Sequence, residues 1–299
     1  MTAVLEAGGP IKALPPGRVG LSRSIAAEWT KLWSVRSTSW TLFATVLAVV
    51  GLSALSTGTV NSSEILGDPT ARSLVGVFFG QLVFGVLGVL VMSAEYGTGT
   101  IRSTLSALPR RPVVLAAKIL LFGAVAVVVS EALTFSAFGL GQVILSGKHS
   151  LGRSAIVQSA HQHGIVIPHN IQALLSTGSA SLGQPGVLRA VVGSGLYLAV
   201  LGLLALGLAT IIRHTAGAIS AFVGIVLVLP LIVQALPTSI SNAIARYLPA
   251  NIGQVMLTTH GVPERIGPAF SPWTGFALLV LYTVVILGIG CWLLVRRDA

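Results

Sequence analysis

Long apolar runs joined by short polar connections dominate the chain from position 40 to 295. Six runs approach or reach the ~20 residues a helix needs to cross about 30 Å of hydrocarbon. They cover 40–56, 74–94, 113–137, 191–212, 216–236 and 276–295. Lipid offers no hydrogen bonds, so each run must satisfy its backbone internally, as a helix does. Ahead of the first run, positions 21–39 read LSRSIAAEWTKLWSVRSTS. Helical spacing there puts Leu21, Ile25, Trp29, Leu32 and Trp33 on one face. Such a helix lies in the membrane interface, its tryptophans at headgroup level. Glu28 falls at the edge of that face, three residues from Lys31 and within pairing reach. The pattern predicts an all-α polytopic membrane protein: six transmembrane helices preceded by an interfacial helix.

The second-to-third connection, EYGTGTIRSTLSALPRRP, carries its own pattern. Gly97 and Gly99 release the chain from the preceding helix, and Thr98 or Thr100 caps a new one. Pro109 and Pro112 end it. Ile101, Leu105 and Leu108 share a face, while Arg102, Ser103 and Ser106 point elsewhere. A short amphipathic helix of this kind fits a groove on a partner; a plain topology-fixing loop is the simpler reading.

Lysine and arginine placement orients the spans. With the N-terminus in the cytosol, twelve of the 18 basic residues lie inside, among them Lys31, Arg102, Arg110, Arg111, Lys118, Arg213, Arg296 and Arg297. Arg72, Lys148, Arg153, Arg189, Arg246 and Arg265 lie outside. That bias places both termini in the cytosol. Positions 1–20, with Pro10, Pro15 and Pro16, read as a flexible cytosolic tail; 21–299 form one membrane domain. Two outer loops are long, 146–189 and 237–272, the second with a short interfacial helix over 241–258. The third run can extend to Leu145, with Gly139 and Gly141 marking a break.

Composition agrees with this pattern. Charged residues make up 9% of the chain and the mean hydropathy is +0.89, whereas a soluble domain carries about 25% charge. The net charge of +10 in a soluble protein would point to nucleic acid. Here the charges sit between apolar runs, so the partner they address is the bilayer. The single cysteine, Cys291, makes no intrachain disulfide.

Five segments together resemble an ABC-2 type transporter permease of the actinobacterial kind. They are AEWTKLWSVRSTSWTL before the first span, EYGTGTIRSTLSALPRRPVVLAAK after the second, GLATIIRHTAGAIS around the fourth-to-fifth turn, the outer RYLPANIGQ and the closing WLLVRRDA. The resemblance runs from about Leu21 to Ala299. It implies a permease subunit of an exporter in the bacterial cell membrane, powered by a separate ATPase subunit and paired with a second permease protomer. It also implies a coupling region at Glu95, Gly99 and Thr100; the pattern of the connection itself adds Ile101, Arg102, Leu105 and Leu108 as candidate contacts to the ATPase. The outer segment from His149 to Ser181 is longer than the family pattern.

Other candidates are weighed on their chemistry. Glu131 lies deep in the third span, where a carboxylate is costly. It lines a substrate path, bonds to a neighbour such as Gln81 or Gln142, or is protonated and structural. His149, His161, His163 and His169 lack acidic or thiol companions, so no metal site is expected. Gly76 and Gly80 form a G-x-x-x-G pair that permits close helix approach, within or between protomers. The string GQVILSGKHS puts Gln142 and His149 where a phosphate-binding loop needs glycine and Ser/Thr. No hydrolase or protease signature is present. The expectation is therefore a non-enzyme, without cofactor or nucleic-acid partner. The alternatives are an ion-coupled secondary transporter with Glu131 as proton site, and a non-transporting membrane sensor subunit.

Overall fold

The computed structural model describes residues 21–34, 36–59, 68–97, 99, 111–162, 179–259 and 269–296. They form helices and turns, with no strand among the described residues. Helix α1 (Leu21–Ser34) leads into α2 (Arg36–Gly58). A short α3 (Pro69–Ser73) precedes α4 (Gly76–Gly97) and α5 (Arg111–Gln162). Then come α6 (Val187–Ile212), α7 (Thr215–Gln234), the short α8 (Thr238–Ala245) and α9 (Pro249–Leu257), and α10 (Pro272–Arg296). Six of these, α2, α4, α5, α6, α7 and α10, hold stretches long and apolar enough to cross a membrane. This is the architecture of a multi-pass membrane protein.

Helix α6 is the axis. It packs against α4, α5, α7, α9 and α10, and most of its residues are buried. Its sequence is apolar all round, as a helix surrounded by others requires. The outer faces of α2 and α10 are apolar as well. Trp40, Phe43, Leu47 and Leu55 on α2 and Leu281, Val284, Ile289 and Trp292 on α10 are exposed. Large exposed apolar stripes suit a hydrocarbon solvent.

Close approach at small residues sets the packing. The G-x-x-x-G pair of α4 meets α2 within the same chain. A Cβ on Gly76 would stand 2.0 Å from the Val49 carbonyl oxygen, and one on Gly80 would stand 2.2 Å from the Val49 side chain. At this contact the α2 backbone is π-helical over Leu47–Gly51. The Gly76 N–H donates to Ser53 Oγ at 2.9 Å. A second π-helical stretch, Gly224–Val228, lies just ahead of Pro230 in α7. Proline supplies no N–H and crowds the turn before it, which favours such a widening.

The third span differs from its expected shape. No break occurs at Gly139 or Gly141, and the helix continues to Gln162 through the first part of the segment read as an outer loop. Gly141 instead lets Ser73 of α3 approach, a Cβ there standing 2.6 Å from the Ser73 Cβ. The segment read as one interfacial helix over 241–258 is two helices, α8 and α9, divided ahead of Pro249.

Polar clasps close the end of the bundle opposite α1. Asp68 Oδ1 accepts the Thr70 and Ala71 N–H groups at 2.9 and 3.2 Å, capping α3. Its Oδ2 accepts from the Thr259 N–H and hydroxyl at 2.6 and 2.8 Å. Gln142 joins α5 to Ser73 at 2.9 Å and accepts the Ala180 N–H at 2.6 Å. Arg189 donates to the Thr258 carbonyl at 2.6 Å.

Candidate functional site

Four charged side chains from three helices meet at the α1 end of the bundle. Glu28 and Lys31 come from α1, Glu95 from the last turns of α4, and Lys118 from the second turn of α5. Lys31 Nζ donates to Glu28 Oε1 and to Glu95 Oε1, both at 2.9 Å. Lys118 Nζ donates to Glu95 Oε1 at 3.1 Å and to Glu28 Oε2 in a short contact. The charges alternate around a closed ring, Glu28–Lys118–Glu95–Lys31, and cancel. Side-chain exposure is 4% for Lys118, 7% for Glu28 and 9% for Glu95, against 40% for Lys31. Three members are thus withdrawn from solvent and one stands at the rim.

Helical spacing explains how α1 reaches this ring. Ser24, Glu28 and Leu32 recur every four residues and are all buried. Ile25, Trp29 and Trp33 form the neighbouring stripe. Trp29 and Trp33 are about half exposed and meet edge to face, ring centroids 5.8 Å apart. Of the five residues read as one apolar face, four separate: Leu32 turns inward beside the charges, Ile25 is half-buried, and both tryptophans point away from the protein, while the Leu21 side chain lies outside the described residues. Lipid is as apolar as a protein core, so nothing drives the indoles inward. The charges gain much more by pairing.

The ring sets the ionisation of its α1 members. Burial pushes the Glu28 carboxyl up, but Lys118 and Lys31 together hold it below its ordinary 4.5. Burial pulls the Lys31 ammonium down, but hydrogen bonds to Glu28 and Glu95 hold it above its ordinary 10.5. A depressed carboxyl contributes stability above its ordinary value and loses it as pH falls through the folded value. A raised ammonium contributes below its ordinary value and loses it as pH rises through the folded one. Between 4.5 and 10.5 both contributions are therefore complete.

A second contact ties the same end together. Arg213, in the left-handed conformation (φ 59°), ends α6. Its guanidinium lies 5.7 Å from the centre of the Tyr96 ring and donates to the Leu293 carbonyl of α10 at 3.3 Å. His214 then accepts the Gly217 N–H at 3.3 Å, capping α7. The tight basic turn thus fixes the residue next to Glu95.

Of the expected coupling residues, Glu95 is in the ring. Gly99 follows α4 in the left-handed region (φ 67°), a conformation that favours glycine. Thr100, Ile101, Arg102, Leu105 and Leu108 lie outside the described residues, as do His163 and His169 and the side chains of His149 and His161. Lys118 is the functional candidate that sequence reasoning passed over. It had been counted only as a topology charge, although a lysine inside an apolar span is itself a signal.

Glu131 sits apart from the ring. Its carboxyl lies against the Gly195–Leu196 backbone of α6, and a Cβ on Gly195 would be 2.5–2.7 Å from the carboxyl atoms. Both oxygens are buried without a well-formed hydrogen bond. The cross-links to Gln81 or Gln142 do not form: Gln81 accepts from the Tyr197 hydroxyl, and Gln142 is engaged with Ser73 and Ala180.

In comparisons with known proteins, no family model and no curated protein matches the chain.

Proposed function

We propose that the chain is the permease subunit of an ATP-driven transporter of the ABC-2 type. It acts as an exporter in the bacterial cell membrane, with a separate ATPase subunit and a second permease protomer. Both termini are cytosolic in this reading, and α1 lies at the cytosolic interface. The carrying observation is the four-charge ring, which locks α1 to the two spans flanking the 98–110 connection. An ATPase moves spans only through an element rigidly joined to them. The ring joins α1, the end of α4 and the start of α5 into one unit at the expected docking segment. Force applied to 98–110 passes to both spans and to α1 together. In this reading the permease performs no chemistry on nucleotide and the partner supplies the free energy. Glu131, held at the α5–α6 contact, is the residue assigned to the substrate path.

A second reading, ion-coupled secondary transport through Glu131, draws support from the enclosed carboxylate, whose oxygens make no well-formed hydrogen bond among the described residues. One experiment separates the two. The tagged full chain is purified from membranes in mild detergent and assayed for a stoichiometric P-loop ATPase and for ATP hydrolysis. Co-purification of such a subunit, with hydrolysis lost when it is stripped away, supports the permease. Transport by the chain alone in vesicles, driven by an ion gradient without ATP, overturns it.

A further inference from the structure

The charge ring borders a cavity of about 340 Å³, within the roughly 300–1,000 Å³ of ordinary ligand pockets. It lies between the α1–α2 elbow and the adjoining ends of α4 and α5. Leu32, Leu90, Val91, Ala94, Leu121 and Phe122 make its walls mostly apolar. Glu95 and Lys118 line it too. Glu95 Oε1 accepts from both lysines, at 2.9 and 3.1 Å. Glu95 Oε2 is buried and accepts from nothing among the described residues, although its side chain is only 9% exposed. A buried carboxylate oxygen without a donor, in a cavity with apolar walls, is matched by a ligand with an apolar tail and an N–H-bearing head.

We propose that this cavity is a lipid site, taking part of one acyl chain of a phospholipid whose primary-ammonium head group donates to Glu95 Oε2. Three features select that head. The ring already balances two carboxylates against two ammoniums, so a zwitterionic head is better matched than an anionic one. A primary ammonium carries N–H donors, whereas a quaternary ammonium of the same charge carries none. The cavity adjoins α1, whose exposed Trp29 and Trp33 mark headgroup depth, so the head reaches Glu95 while the remaining lipid stays in the bilayer. In the proposed topology this is the inner leaflet.

The test uses the purified full chain, titrated in detergent with phosphatidylethanolamine, phosphatidylcholine and phosphatidylglycerol of matched acyl chains, and reads bound lipid by native mass spectrometry. One phosphatidylethanolamine should be retained about tenfold more tightly than either of the others, the selectivity of one charge-assisted hydrogen bond. Ala94→Phe fills the cavity without touching an ion pair and should abolish that preference, with the helical signal unchanged. A measurement that needs no variant stands beside it: dodecylamine should displace the bound lipid at about tenfold lower concentration than dodecyltrimethylammonium. Equal retention of the three lipids, or equal displacement by the two amphiphiles, overturns the proposal. Lipid retention is read on the isolated chain, so the result is independent of whether an ATPase partner exists.

Discussion

Replacing Lys118 by methionine keeps the length and apolar stem of the side chain but removes the ammonium that bridges Glu28 and Glu95. Two carboxylates, 7% and 9% exposed, then keep Lys31 as their one cationic partner among the described residues. Breaking a buried ion pair from one side costs about 3–5 kcal/mol, because the partner's charge stays buried without compensation. Lys31→Met removes the two ion contacts to Glu28 and Glu95 instead, but from a side chain 40% exposed. Water screens that site, and its loss should cost roughly 0–1 kcal/mol. Denaturant titration of the purified variants in mixed micelles measures both. The pH response carries an independent sign. In the wild type, stability should fall once pH drops below the ordinary carboxylate value of 4.5, as Glu28 is protonated. In Lys118→Met the largest favourable influence on Glu28 is gone and burial dominates. Its carboxyl then rises, and acidification from neutral pH should recover stability. Adding Glu28→Gln to Lys118→Met should recover part of the loss at pH 7. If Lys118→Met is no worse than Lys31→Met, and both lose stability in acid as the wild type does, the ring does not hold α1 to the spans.

Other sites give further expectations. Gly195→Ala should cost about 1–3 kcal/mol by overpacking against the Glu131 carboxyl, and Glu131→Ala in the same chain should relieve it, both read by the same titration. Gly76→Leu meets the Val49 backbone oxygen rather than a flexible side-chain end, so folded protein should be lost from size-exclusion profiles. Reporter fusions at Ala107 and after Ala299 should read cytosolic, and those at Ser176 and Val262 external; an external C-terminal fusion contradicts the proposed topology.

The spans were legible because lipid leaves the backbone one solution over each apolar run. Their ends were less so. Helix α5 continues to Gln162 because the fall in apolarity after Leu145 ends the lipid-facing pattern without ending a helix, and isolated glycines such as Gly139 do not break one. In the candidate site, the Glu28–Lys31 pair followed from spacing, and Glu95 came from the resemblance without a named partner. Lys118 was missed for a physical reason. The apolar stripe of α1 marks a face turned to the membrane, and it does not say which residues on the other side pack against the spans. In lipid the tryptophans lose nothing by facing outward, so pairing of charge decides the orientation. The partner of a buried charge 90 positions away is a property of packing and leaves no mark on local periodicity.

The most direct test of the coupling role lies in the 98–110 connection that the ring anchors at both ends. Leu105→Asp and Arg102→Glu, each in the full chain, are compared with Ser176→Asp for co-purification of the ATPase subunit and for transport-linked ATP hydrolysis. Loss of one large buried anchor costs an interface 2 kcal/mol or more, roughly a thirtyfold weakening. Both connection variants should therefore insert normally in the membrane yet lose the ATPase or its stimulated activity, while Ser176→Asp keeps both. Normal binding and coupling in Leu105→Asp and Arg102→Glu would contradict the account.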